Sequence, residues 1–234
     1  MKTMILDRAQ IVETALAKIT GLVAQKPEAV IALSAGETCL AVYEALADAA
    51  KGGELSLSRL RFFSVTELEG IPPDGMHSHG QRIKELFLKS TDADARRFFV
   101  PDAADPARYD EEIARSGGLD LAILDIGVNA RIGFNEPATP FDSRTHRQKL
   151  TRPTRRELAE EFGGEENVPV YGLSMGIKTL VEAKEILVLA EGEEKSKAVF
   201  HMLYGRDDSI YPAAFLQIPP QVTVLVDAAA ASKL

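Results

Sequence analysis

Short apolar runs and amphipathic stretches take turns along this chain from end to end. Residues 29–33 (AVIAL) form a continuous apolar run of the kind seen where a strand is buried on both faces. Similar runs predict strands at 61–65, 98–100, 121–126, 186–190 and 222–226. Between them lie stretches with helical periodicity. The first, over 7–25, opens on Asp7 as a candidate cap and carries Ile11, Ala15, Leu16, Ile19 and Val23 on one face, with Pro27 barring its continuation. Further helices are expected at 39–50, 81–88, 106–116, 177–183 and 195–204. Regular alternation of this kind predicts a three-layer α/β fold, αβα, with a mostly parallel central sheet covered on both faces. Residues 137–153 break the rhythm with Pro, Asp, Ser, Thr and several basic residues, and read as a long surface loop. Such loops in compact domains are usually lids or binding segments, and 137–165 is the expected lid.

Composition narrows the picture. A chain of 234 residues, 45% of them hydrophobic, can bury one large core, so a single domain over 1–234 is expected. The formal charge of −8 argues against non-specific attraction to nucleic acid or to an anionic membrane surface. No window approaches the roughly 20 apolar residues of a bilayer span. The N-terminal MKTMILDRAQ has no apolar run followed by a small-residue cleavage site, which points to the cytoplasm. Cys39 is the single cysteine, which excludes an intramolecular disulfide and a multi-cysteine metal centre. It is expected to be a small buried hydrophobe.

In open α/β sheets the ligand crevice lies beyond the C-terminal ends of the strands, so chemistry is sought just after each predicted strand. Four segments stand out: 34–38 (SAGET), 64–70 (SVTELEG), 125–137 (DIGVNARIGFNEP) and 192–195 (GEEK). The first opens a helix directly after a buried strand. Its free backbone N–H groups suit an anion, although an ordinary turn with Thr38 as the helix cap has the same pattern. The third gathers Gly127, Asn129, Arg131 and Glu136, a polar cluster that a simple connection does not require. Lys195 fits either a phosphate ligand or a solvated surface lysine. His77 and His79 are too few to hold a metal and are expected as exposed loop histidines, so no metal site is expected.

With these motifs in order, the chain resembles the glucosamine-6-phosphate deaminase and galactosamine-6-phosphate isomerase family, itself related to the 6-phosphogluconolactonases. IALSAGETCLAVYEAL is similar to the family's phosphate loop TGxTP and the helix after it, and FFSVTELEGIPP to FxxDEYxGxP. DIGVNARIGFNEP is similar to GxGxDGHIAFNEP, while SRTHRQKLTRPTR and VPVYGLSMGIKTLVEAKEILVLAEGEEK follow the family's later half. The resemblance implies a Rossmann-like scaffold, no cofactor, and a sugar or amino sugar phosphate as small-molecule partner. A homo-oligomer is compatible with it.

The resemblance also marks departures. The family's proton-transfer aspartate falls at Thr66, whose hydroxyl is no comparable base near neutral pH. The ring-opening aspartate, histidine and glutamate fall at Asn129, Arg131 and Glu136, so Glu136 alone is retained, and arginine cannot shuttle protons as histidine does. Substrate-binding positions carry over to Ala35, Gly36, Glu37, Thr38 and Lys195. Glu37 replaces a small residue, Asp125 a glycine, and Glu160 falls where the family has a phosphate-binding arginine. Glu67, already usual in the family, and Asp125 are the candidate replacement acids. Arg131 is expected to pair with Glu37 or Asp125, because an isolated charge in a closed cleft is costly. Three readings follow: an amino sugar phosphate deaminase or isomerase, an inactive relative that binds a carbohydrate derivative or regulates, or an enzyme of shifted substrate using Glu37, Asp125 or Glu136 as acid and base.

Overall fold

The computed structural model describes residues 1–53, 55–206 and 210–234. In chain order it contains β1 (Lys2–Ile5), α1 (Arg8–Gln25), β2 (Val30–Leu33), α2 (Glu37–Lys51), β3 (Arg61–Ser64), β4 (Thr66–Leu68), α3 (His79–Leu88), β5 (Phe98–Phe99) and α4 (Pro106–Arg115). There follow β6 (Leu121–Asp125), β7 (His146–Lys149), α5 (Arg152–Leu158), β8 (Tyr171–Ser174), α6 (Ile177–Val181), β9 (Glu185–Ala190), α7 (Ser196–Tyr204) and β10 (Val222–Val226). Seven strands make one sheet in the order β1-β10-β9-β6-β2-β3-β5, and each neighbouring pair is parallel. β4, β8 and β7 form a small antiparallel sheet beside it.

The apolar runs are buried on both faces, and each strand divides its side chains between two cores. Ile31 and Leu33 of β2, Leu121 and Ile123 of β6, and Leu187 and Leu189 of β9 pack with the inner faces of α1, α2 and α3. Val30 and Ala32, Ala122 and Leu124, and Ile186 and Val188 point the other way, toward residues of α4, α6 and α7. Each Val, Leu or Ile among them contributes about 1.5–3 kcal/mol on burial, and the alanines less. In α1 the inward stripe is Ile11, Ala15, Ile19 and Val23, and Asp7 closes a capping box with Gln10. Cys39 is fully buried in the first core, and burial pushes its thiol pKa well up, which leaves an unreactive thiol.

The chain runs outward from β2 through β3 to β5, then crosses back to β6 on the other side of β2 and continues to β9 and β10. The order therefore reverses between β2 and β6, which is where an open α/β sheet forms a crevice at its C-terminal edge.

The structure departs from the expected elements in one region above all. Residues 137–153 are not a structureless loop, since β7 and the start of α5 lie within them. β7 (HRQK) is polar throughout and sits at the edge of the small sheet. α5 (RPTRREL) buries only Thr154. Neither carries an apolar period for the sequence to display. β1 is similarly exposed at the edge of the main sheet.

Asp120, just before β6, ties three elements together. It is 3% exposed and accepts from the Val30 N–H at 2.9 Å, from Lys26 Nζ and from Lys184 Nζ at 2.8 Å. Burial raises its pKa, but the two lysines and the amide outweigh burial and hold it below the usual carboxylate range. A carboxylate depressed in the folded state contributes stability that is present above its unfolded pKa, near 3.9, and is lost as pH falls through the folded value. Asp120→Asn is therefore expected to cost about 1–3 kcal/mol at pH 7, with the gap to wild type closing below about pH 4. Urea unfolding across a pH series checks this, and a gap that stays constant down to pH 3 counts against it.

Candidate functional site

A cavity of about 790 Å³ opens at the C-terminal edge of the main sheet, bounded by the segments that follow β2, β3, β6 and β9 and by α5. Of the sequence-derived site residues, Ala35, Gly36, Glu37, Thr38, Thr66, Asp125, Arg131 and Lys195 line it. Asn129, Glu136 and Glu67 do not.

The turn after β2 leads straight into α2. Gly36 is the N-cap, and no side chain caps the helix, so Thr38 does not have that role. The first amides of α2 are left to face whatever enters the cleft. Gly36 is required for a second reason. A Cβ there would lie 2.7 Å from both Cγ and Oδ2 of Asp125, so only glycine lets the end of β6 come this close. The Asp125 carboxylate has no hydrogen bond or ion pair among the described residues and borders the cleft, where it can meet a ligand's amine or hydroxyl.

Arg131 reaches the cleft by a tight turn. Ala130 N–H donates to Gly127 O at 2.9 Å, Gly127 N–H to Arg131 O at 3.0 Å, and Ala130 takes φ 62°, a left-handed conformation that a residue with a Cβ adopts only at a cost. Gly127 gives room for the arginine stem, since a Cβ there would stand 2.4 Å from Arg131 Cγ. The guanidinium is buried. Nη1 donates to Gly133 O at 2.6 Å and Nη2 to Glu157 Oε2 at 3.0 Å. Its partner is thus Glu157, and neither Glu37 nor Asp125, the partners expected from the sequence, makes that bridge. Lys195 Nζ meets the other oxygen of Glu157. One carboxylate from α5 therefore sits between two cations, one after β6 and one after β9. Burial disfavours the charge on Glu157, but Arg131 and Lys195 win and lower its pKa. Arg131 is correspondingly raised against its own burial, by Glu157 first and then Asp125 and Glu136.

Beyond Glu157 the same segment is clasped a second time. Arg82 of α3 donates to Glu161 Oε2 and to Glu37 Oε1, each at 2.9 Å. His77 lies 3.5 Å from Glu161 Oε1 and stacks on Phe162 with ring centroids 4.3 Å apart. Glu160 also borders the cavity, yet the carboxylate that meets the cations belongs to Glu157, almost one helical turn earlier. Glu157 and Glu161, within the segment expected as a lid, thus border the cleft and are tied by ion pairs from α3 and from the ends of β6 and β9.

His79 overturns the expectation of an exposed loop histidine. It is the first residue of α3, 6% exposed, with Nδ1 hydrogen-bonded to Thr66 Oγ1 at 2.7 Å and its ring 5.5 Å from that of Phe134. It lines the cleft beside Thr66. Burial, with Arg82 and Arg131 nearby, lowers its pKa to about 4 in spite of Glu67, so it is neutral at physiological pH. Glu67 is fully engaged. Its oxygens accept from Leu68 N–H (2.8 Å), Ser78 Oγ (2.7 Å), and the N–H groups of His79 and Gly80 (3.0 Å each), and it secures the start of α3.

Glu136 is 1% exposed. It accepts from Asn129 Nδ2 at 2.7 Å, and from Thr151 N–H at 3.0 Å and Thr151 Oγ1 at 3.1 Å. Thr151 is the N-cap residue of α5, so Glu136 and Asn129 lie behind the cleft, at the root of the helix that carries Glu157. Glu157 and Arg82 are the site residues the sequence did not bring forward, and His79 was singled out but expected to be exposed. Ser78 followed three residues later by Gln81 was the one local signal that His79 begins a helix, and Ser78 does cap Gln81 N–H.

Comparison with known proteins agrees with this geometry. The family described as "Glucosamine-6-phosphate isomerases/6-phosphogluconolactonase" matches residues 7–225. A glucosamine-6-phosphate deaminase of Bacillus velezensis is 39% identical over 225 residues, covering 94% of this chain and 93% of that one. Another, of Beutenbergia cavernae, is 40% identical over 223 residues, covering 92% and 85%. Among solved structures, a monomeric glucosamine-6-phosphate deaminase superposes with TM-score 0.96 at 32% identity, covering all of both chains. The fold alone is shared with a 6-phosphogluconolactonase of Thermotoga maritima, at TM-score 0.76 and 21% identity over 97% of this chain and 98% of the other. With the turn after β2, residues 131–134 and Lys195 meeting around one cleft on this scaffold, the chain belongs to the glucosamine-6-phosphate isomerase and 6-phosphogluconolactonase family.

Proposed function

We propose that the cleft takes an aminohexose phosphate and that the chain isomerises it with loss of the amino group, as the names of its relatives describe. The observation that carries this reading is the convergence of Arg131 and Lys195 on the Glu157 carboxylate. Two cations from separate elements that meet on one carboxylate form an anion site, and a phosphate dianion competes for it with greater charge. The uncapped start of α2 at Gly36 and Thr38 supplies amide donors on the same side. Ala35 shapes the floor of that turn. Asp125, whose carboxylate has no partner among the described residues, faces the sugar and accepts from its ammonium. Glu37 stays at the mouth with Arg82. Glu136 acts from behind, by holding Asn129 and the first turn of α5 in place as Glu157 gives way.

Glu157→Gln should then bind glucosamine-6-phosphate about tenfold more tightly than the wild type in a calorimetric titration, because the competing charge is gone; that factor is about 1.4 kcal/mol. Glucosamine and inorganic phosphate, run separately, show which end of the ligand gains. Ammonia release by the wild type tests the chemistry. The reading is lost if neither form binds the sugar phosphate, or if Glu157→Gln binds it more weakly.

A further inference from the structure

The residue that replaces the family's proton-transfer aspartate, Thr66, does not stand alone in the cleft. We propose that His79, oriented by Thr66, is the proton carrier of this site. The inference rests on the reading above, since it assigns the base of that same reaction.

Four observations support it. Among the described residues the Thr66 hydroxyl has one side-chain hydrogen bond, to His79 Nδ1 at 2.7 Å, so the position where the resemblance puts the family's aspartate leads directly to an imidazole. Among the described residues Nε2 has no hydrogen-bond partner, and the ring borders the cavity, which leaves this nitrogen for the cleft. The backbone N–H of His79 is fixed by Glu67, and Ser78 is held by the same carboxylate, so the start of α3 cannot drift. The ring packs against that of Phe134, tilted by 42° with centroids 5.5 Å apart, which restricts its rotation. With the Nδ1–H donating to Thr66 Oγ1, the Nε2 lone pair is the one presented to substrate. The charged groups around it are Glu67 from β4, Arg82 from its own helix and Arg131 from the loop after β6.

The step balances without an outside reagent other than water. Nε2 takes the proton from C2 of the open-chain aminoaldose. The C–H pair becomes the C1=C2 bond, and the carbonyl π pair moves to O1, which takes a proton from the substrate's own ammonium. The imidazolium then gives its proton to C1, which leaves an iminium at C2. Water hydrolyses it to ketone and ammonium, and the histidine ends neutral as it began. Thr66 is a positioning residue in this scheme, because it touches the imidazole and acts through it.

Neutrality at pH 7 keeps the lone pair available, but burial and two arginines make it a weak base. An arriving phosphate that pairs with Arg131 removes part of that positive field, so the imidazole pKa is expected to rise from about 4 in the complex.

The test combines turnover with a measurement on the unmodified chain. With glucosamine-6-phosphate, His79→Gln should lose 10²- to 10⁴-fold in kcat, the usual range for one general acid or base, with binding kept within about threefold. Thr66→Val should lose less and should shift the acid limb of the kcat profile, which a purely structural role would not move. Exchange of the C2 proton with deuterium from solvent should fall in parallel in His79→Gln. In wild-type protein, imidazole NMR should show the His79 Nε2 signal displaced and its pKa raised on binding. Wild-type turnover that survives His79→Gln overturns the proposal while the function stands. Binding without C2 exchange in the wild type, or binding that leaves the His79 signal unmoved, also overturns it. Failure of the wild type to bind the sugar phosphate removes the function itself.

Discussion

Replacement of Glu67 by alanine is expected to lower the unfolding free energy by about 3–5 kcal/mol. The size follows from what the carboxylate holds. Four donors converge on it from two elements, and the three that belong to Ser78, His79 and Gly80 are the opening groups of α3. A carboxylate there is also favoured by the partial positive charge at the helix start. Alanine leaves these donors in a space too enclosed for water to satisfy all of them, and an orphaned buried group costs about 1–3 kcal/mol. Glu67→Gln keeps the shape but exchanges one acceptor oxygen for a donor, so an intermediate loss is expected. Guanidinium unfolding with an unchanged m value checks the order wild type, Gln, Ala. A loss below about 1 kcal/mol for Glu67→Ala would mean that the four bonds are not the anchor described.

Arg131→Ala is expected to destabilise the fold by about 2–4 kcal/mol and to weaken sugar phosphate binding more than tenfold. Removal of the guanidinium breaks its bonds to Gly133 O and Glu157 and its contact with the Phe134 ring, 5.5 Å away. Glu157 keeps Lys195, which is why the loss falls short of that for a carboxylate stripped of all partners. Arg131→Lys should recover little of either effect, since an ammonium lacks the planar fork that serves a carbonyl and a carboxylate at once. Full recovery with lysine would show that charge alone matters here.

The main sheet was legible in the sequence because its strands are continuous apolar runs, and each of the six expected falls within a residue or two of its place. β1, β4, β7, β8 and α5 were not legible, for a common reason. They are short, β7 and α5 are largely polar and β1 is mostly exposed, so tertiary contacts and not a local period define them. Within the site, residues that follow the long strands could be placed from the chain alone: Gly36, Thr66, Asp125, Arg131 and Lys195 do line one cleft. Their partners could not. Arg131 chose Glu157, 26 residues away on a helix without an apolar face, over the acids that sequence adjacency to other strands suggested. His79 is 13 residues from Thr66 in a segment without an apolar period, and it is the bond from its backbone N–H to Glu67 that fixes it at the start of a helix.

A carboxylate seated between Arg131 and Lys195 sets a threshold for any visitor. A competitor bearing a single negative charge, such as a sugar acid, merely exchanges like for like and gains nothing electrostatically. A phosphomonoester above its second ionisation, near pH 6, brings close to two charges and more acceptor oxygens. On the proposed reading the resident glutamate is then a filter on valence, expected to turn away monoanions that would fit by shape and to make any preference among sugars steepen as the medium passes from acid to neutral.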